Sequence, residues 1–260
     1  MRANKIKEIW AKGETVFNGW CAIPSSISAE LMAKQDFDSV CLDLQHGAID
    51  YSTSLPMLQA ISTTDRVPLA RVPWNEPGVI GKMLDAGAYG IICPMINTRE
   101  ECERFVGACR YAPQGYRSVG PLRASLYAGA DYWKHANTTV LTFAMIETKQ
   151  AVANLDAILS VPGLDAIYVG PSDLSVSMGE SAGFDPKFPE VLKTIEMIAK
   201  AAQKHGVVAG IHTGSVAYAT QMVQAGYRFV TYLSDFRILQ LATEKGVKAM
   251  RAGKPETNVP

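Results

Sequence analysis

Eight short apolar runs recur along this chain of 260 residues, and the longer segments between them carry apolar residues at helical spacing. The runs fall near 16–23, 38–44, 67–72, 88–94, 140–146, 165–170, 206–211 and 227–232. The helical segments fall near 27–35, 52–62, 76–86, 98–111, 150–159, 187–204, 215–224 and 235–250. Strand, helix, strand, repeated in this way, means a parallel sheet, because a tight hairpin cannot connect parallel neighbours. Eight such units in one chain favour a closed barrel over an open sheet. The length agrees with the roughly 250 residues of a (β/α)8 barrel. The expectation is an α/β fold, a single-domain TIM barrel over 1–253, followed by a polar, frayed tail over 254–260.

Local signals support the helices. Asn97 and Thr98 can cap a helix whose first turn holds Glu100 and Glu101. Ser215 can cap the helix near 216–224, and Gly226 can stop it. Pro77 suits a first turn, where its missing N–H has no intrahelical acceptor to lose. Two segments interrupt the rhythm, a Gly-, Pro-, Arg- and Ser-rich stretch at 112–139 and a loop-like stretch at 177–189. A long ordered loop of the first kind is usually functional.

The chain carries 25 basic and 25 acidic side chains, so its charge gives no support for a nucleic-acid or membrane partner. No apolar stretch approaches the ~20 residues of a membrane span. None of the five cysteines has a partner at CxxC spacing, which disfavours a zinc cluster. Their odd number, without a signal peptide ahead of them, points to the cytoplasm.

In such a barrel, chemistry collects at the C-terminal strand ends. There the second strand presents Asp43 and His46, the third Arg71, the fifth Glu147, and the sixth Ser172 and Asp173. Glu147 and Asp173 sit one β/α unit apart, each closing an apolar run. Two oxygen ligands with room for water and substrate suit Mg2+, Mn2+ or Co2+ in an open catalytic site. Arg71 can bind a carboxylate or keto oxygen through its fork of donors, or form a structural salt bridge to Glu147. His46 can act as a general base near neutral pH, with Asp43 or Asp85 to fix its tautomer. The amides of Ser172 and Asp173, at a helix start, can hold a carboxylate. His212 follows the seventh strand, where a loop often only shapes the pocket, and is not assigned to the site.

Four segments resemble the HpcH/HpaI aldolases, class II metal-dependent pyruvate aldolases. They are Leu42-Asp43-Leu44-Gln45-His46-Gly47, Leu84-Asp85-Ala86-Gly87-Ala88, Pro113-Gln114-Gly115-Tyr116-Arg117-Ser118-Val119-Gly120 and Val169-Gly170-Pro171-Ser172-Asp173-Leu174. The resemblance implies a barrel that assembles as a homo-oligomer, hexamer or trimer, with its eighth helix exchanged between subunits. It implies a divalent metal on Glu147 and Asp173, chelated by pyruvate or a related 2-oxo acid. Arg71 would hold the keto or enolate oxygen, the Ser172 and Asp173 amides the carboxylate, and His46, oriented by Asp43 or Asp85, would move the proton. The reaction implied is aldol cleavage of a 4-hydroxy-2-oxo acid to a 2-oxo acid and an aldehyde, or its reverse. The chain departs from the best-known members at Leu44-Gln45, where they carry Gly-Glu, and at Met145, where they carry Gln; its Met145-Ile146-Glu147-Thr148 looks like the hydroxy-ketoacid aldolase branch.

Three alternatives are open at this point. A Schiff-base aldolase needs a lysine at a strand end, and Lys149 is the near candidate. A citrate-lyase-like enzyme acting on a CoA thioester would use the same metal and Arg71, with Arg117, Arg123 and Lys134 for the nucleotide. A third is a protein that binds a 2-oxo acid without catalysis.

Overall fold

Each of the eight apolar runs becomes a strand. The computed structural model describes residues 1–253, and the tail expected over 254–260 lies outside them. The chain runs α1 (Lys5–Ala11), β1 (Val16–Cys21), α2 (Ser26–Lys34), β2 (Ser39–Asp43), α3 (Tyr51–Ile61), β3 (Val67–Arg71), α4 (Pro77–Asp85), β4 (Gly90–Cys93) and α5 (Arg99–Cys109). It continues through α6 (Leu122–Ala128), α7 (Tyr132–Thr139), β5 (Leu141–Ile146), α8 (Lys149–Ala153), α9 (Leu155–Leu159), β6 (Ala166–Val169) and α10 (Pro171–Ser177). The last elements are α11 (Pro189–Lys204), β7 (Val208–Thr213), α12 (Val216–Gln224), β8 (Phe229–Tyr232) and α13 (Asp235–Arg251). All strands are parallel and follow one another round a closed barrel, β8 returning to β1 at Val16↔Phe229.

The alternation of side chains along each strand decides what fills the barrel. On β1, β2 and β8 it brings Asn18, Ser39 and Thr231 together: Ser39 Oγ donates to Asn18 Oδ1 at 2.8 Å, and Asn18 Nδ2 donates to Thr231 Oγ1 at 3.1 Å. Trp20 stacks on Tyr168 at 5.7 Å, and Phe143 meets Phe229 at 4.8 Å. The interior is therefore a packed core, and only its C-terminal rim is free for chemistry.

The other end is plugged by α1, which the sequence reading does not contain. Asn4 caps it, and its Nδ2 donates to the carbonyls of Tyr89 and Thr139. Trp10 then reaches up to lie edge-on to Phe143 and Phe229. At the same end Arg110, buried, donates to the carbonyls of Val140 and Gly163 and to Asp165 Oδ2 at 2.8 Å.

The segment 112–139 is not an open loop. It holds α6 and α7, and its cations serve the fold. Arg117 pairs with Asp85 at 2.6 Å and donates to the Tyr132 hydroxyl; Arg123 donates to the carbonyls of Ala86 and Leu58 and to Ser62. The helix expected over 150–159 is broken into α8 and α9 at Asn154, whose Nδ2 donates to the Asn97 carbonyl. An additional short helix, α10, precedes the loop before α11. Among the described residues, no helix is long and apolar enough to cross a membrane.

Candidate active site

Asp43 and Arg71 end adjacent parallel strands and face each other in register. Arg71 Nε donates to Asp43 Oδ1 at 2.9 Å and Nη2 to Oδ2 at 2.6 Å, a two-pronged ion pair. Trp20 completes the lock: its Nε1 donates to Asp43 at 3.2 Å, and the guanidinium stacks over its ring at 4.9 Å. Burial opposes the charge on Asp43, but Arg71 and these hydrogen bonds outweigh it and hold the carboxyl below its ordinary range. Two of the five guanidinium N–H groups are thus spent on orientation, and three remain. The salt bridge to Glu147 that the sequence allows is not formed; Asp43 takes that place.

Glu147 directly follows β5 and is 2% exposed. Its Oε1 accepts the Met95 amide at 2.8 Å, and no hydrogen bond reaches its Oε2 among the described residues. Burial pushes the carboxyl up to about 7; the Met95 amide works against that, and the negative Asp173 adds to it. The Met95 amide is turned toward Glu147 by a left-handed backbone, φ 55°, which costs a non-glycine residue about 1–2 kcal/mol. The second left-handed non-glycine residue, Leu233, at φ 49°, lies on the same rim. Gly170 makes the close approach possible: a Cβ there would lie 2.5 Å from Glu147 Oε2.

A buried, under-paired carboxylate beside a second one fits a divalent cation, which would relieve both the desolvation and the repulsion. No group of three or more His, Cys, Asp or Glu suited to a metal occurs among the described residues. A cation held by these two carboxylates alone would keep positions for water and substrate, as an open site requires.

Asp43, Arg71, Asp173 and Gly170, the glycine against Glu147, border one cleft of about 460 Å³ at the C-terminal mouth of the barrel. Its lining includes Trp20, Asp43, His46, Arg71, Ser172 and Asp173. Pro171 opens α10, and the first-turn amides of Ser172 and Asp173 have no acceptor inside the helix. His46 stands exposed at the mouth. Gly47 lets its loop turn, since a Cβ there would collide with the Asp43 carbonyl.

The two expected partners of the His46 ring are elsewhere. Asp43 accepts the backbone amide of His46 at 3.2 Å, so it places the loop and not the imidazole. Asp85 ends α4, which runs back down the outside of the barrel, and its partner is Arg117. Within the chain the imidazole makes no hydrogen bond among the described residues. Lys149 is exposed and does not border the cleft.

His212 lies within β7, not in the loop after it, and lines the cleft. Tyr168 shares a hydrogen bond with its Nδ1 at 3.1 Å, and burial, with Arg71 nearby, pushes the imidazole down to about 3. It is a neutral wall residue, not a base poised at neutral pH. Trp20, Met95, Tyr168 and Gly170 are further site residues absent from the sequence reading. Strand parity could have found Trp20 and Tyr168; nothing in the sequence marks the backbone of Met95.

The profile of the family described as HpcH/HpaI aldolase/citrate lyase matches residues 19–240. The chain is 40% identical over 249 residues to the hydroxypyruvate/pyruvate aldolase of Rhizorhabdus wittichii, covering 96% of this chain and 99% of that protein. It is 36% identical over 244 residues to the 5-keto-4-deoxy-D-glucarate aldolase of Escherichia coli O157:H7, covering 93% and 94%. In structure it is similar to an HpcH/HpaI aldolase/citrate lyase family protein from Burkholderia cenocepacia, with a TM-score of 0.89, 29% identity and coverage of 96% and 100%.

Proposed function

The chain belongs to the HpcH/HpaI aldolase/citrate lyase family, and on that premise we propose that it is a divalent-metal-dependent, pyruvate-type aldolase. It is a carbon–carbon lyase that cleaves a 4-hydroxy-2-oxo acid to pyruvate, or a related 2-oxo acid, and an aldehyde, or runs the reverse. The observation that carries this reading is a locked guanidinium with spare donors lining the cleft, and a buried, under-paired Glu147 set against Gly170 of its wall.

Glu147 and Asp173 hold the cation, Mg2+, Mn2+ or Co2+. When bound, it supplies Lewis acidity toward the keto and carboxylate oxygens of the 2-oxo acid. The first-turn amides of Ser172 and Asp173 receive the carboxylate. His46 takes the proton of the 4-hydroxyl, the C3–C4 bond breaks, and its electrons pass into the keto group as an enolate. The remaining donors of Arg71 stabilise that oxygen as its charge develops, and Asp43 acts by holding Arg71. Proton return to C3 completes pyruvate. The exposed Lys149 gives a Schiff base no support, and Arg117 and Arg123, engaged within the fold, give a CoA nucleotide none.

The protein is also proposed to work in the cytoplasm, where its five free, buried cysteines stay reduced, and as a homo-oligomer, hexamer or trimer. Within α13 only Asp235 is buried, and Phe17 on neighbouring β1 is 49% exposed, so among the described residues nothing covers this apolar face. The deciding experiment is a screen of pyruvate and hydroxypyruvate against a panel of aldehydes, before and after chelation. New aldol products that vanish on chelation and return with Mn2+ or Co2+ support the reading; none under any condition refutes it.

A further inference from the structure

The loop that holds Glu147 is itself clasped to the residue after Glu147. Met95 donates its N–H to Glu147 Oε1 at 2.8 Å from a left-handed backbone, φ 55°. A non-glycine residue stays in that region only where its surroundings pin it. The pin is Asn97. Its Nδ2 donates to the Met95 carbonyl at 3.0 Å, so the peptide groups on both sides of Met95 are engaged. Its Oδ1 accepts the hydroxyl of Thr148, which directly follows Glu147 in the chain.

The backbone of Asn97 is tied down as well. Its N–H donates to Glu101 Oε2 at 2.7 Å, and its carbonyl accepts Asn154 Nδ2 at 2.8 Å. Thr148 is fixed in turn as the cap of α8, where it accepts the Ala151 amide at 3.0 Å. The loop after β4 is thus fastened to the end of β5 at two points, Met95 on Glu147 and Asn97 on Thr148. Asn97 does not line the cleft. Its donors and acceptors are spent on placing other groups, and the group at the end of that chain is the Glu147 carboxylate. With Oε1 held by Met95, Oε2 is the oxygen left to offer, on the side of Gly170.

We propose that Asn97 is a positioning residue for the cation site: by pinning Met95 it keeps Glu147 Oε1 engaged and Oε2 on offer, and this placement sets both affinity and choice of ion. The proposal rests on the reading of Glu147 as a cation ligand and concerns how that ligand is held. Mg2+ demands near-ideal octahedral geometry, whereas Ca2+ accepts flexible arrangements and both oxygens of one carboxylate. A Glu147 released from its clasp therefore costs Mg2+ more than it costs Ca2+.

The test is metal binding without substrate. Electron paramagnetic resonance counts free Mn2+ over each protein, and displacement of bound Mn2+ gives the affinities for Mg2+ and Ca2+. Asn97→Ala should weaken Mn2+ and Mg2+ at least about tenfold and Ca2+ by less. Thr148→Val opens the same clasp from its other side and should show the same pattern, whereas Thr148→Ser keeps the hydroxyl and should bind as wild type does. Thr98→Ala is the control for a merely structural effect. It removes the cap that accepts the Glu101 amide and leaves the Asn97 side chain alone, so it should lower the melting temperature without moving any of the three affinities. Unchanged Mn2+ affinity in Asn97→Ala or in Thr148→Val would overturn the Asn97 inference alone. So would an equal loss for Mg2+ and Ca2+, or a loss in Thr98→Ala as large as in Asn97→Ala. Failure of wild type to bind Mn2+ at all would overturn the reading of Glu147 as a cation ligand.

Discussion

Arg71 has two edges with separate duties. The edge on Asp43 fixes it, and the free edge is available to a developing oxyanion. Arg71→Ala should therefore lower kcat at least about a hundredfold, the usual loss for one such donor. Arg71→Lys should recover little, because an ammonium cannot grip Asp43 with two prongs and still point donors into the cleft. Steady-state kinetics checks this, and a near-normal rate in the Ala variant would make Arg71 structural. Gly170 offers a test of the ligand assignment without touching a ligand. In Gly170→Ala the new methyl would meet Glu147 Oε2 and, at 3.2 Å, Met145 Cε. The carboxylate would have to turn away. Titration calorimetry should show Mn2+ affinity reduced at least about tenfold in a barrel whose circular dichroism is unchanged. Unaltered affinity would mean that Glu147 does not hold the cation where it stands.

At the scale of elements, the eight strands and their order were legible because a buried parallel strand leaves a short apolar run, and a covering helix leaves a periodic one. The rim residues were legible for the same reason, since a charge that ends a buried run must have a partner. Partners themselves were harder to read. Asp43 was placed on the His46 ring because it is close in sequence, whereas strand register gives it to Arg71. Asp85 was drawn to the site by its motif, although the helix that carries it ends away from the rim. Helix α1 was missed because its seven residues bury only Ile6, too weak a period to notice. Yet it closes the barrel bottom, where Arg110 and Asp165 knit β5 to β6. Arg110→Ala would take a charged donor from Asp165, which keeps the Thr142 amide and hydroxyl, and one donor each from the Val140 and Gly163 carbonyls, and should destabilise the fold by about 2 kcal/mol. Because this cluster is at the end opposite the cleft, kcat below the melting transition should change little. Urea titration and assays on the same preparation separate the two effects; a large loss of rate with no loss of stability would contradict that division.

For the whole molecule, the barrel is complete within one chain, but its last helix is not matched to it. Along α13, Leu239, Leu241 and Met250 are exposed, and a neighbouring copy of the chain is the occupant proposed for them. Sedimentation analysis should find a trimer or hexamer in wild type and smaller species in a Leu239→Lys, Met250→Lys double variant. A monomeric wild type would contradict this. In the proposed mechanism a cation on Glu147 and Asp173 acts with Arg71 and His46 to form an enolate, a step that precedes any choice of aldehyde. It is tested most directly by NMR of pyruvate in deuterated water with no aldehyde present. The methyl protons should exchange with added Mg2+ or Co2+, stop exchanging after chelation, and exchange slowly or not at all in Glu147→Gln and in His46→Ala. Exchange at the full rate in the chelated wild-type protein, or in Glu147→Gln, would contradict it.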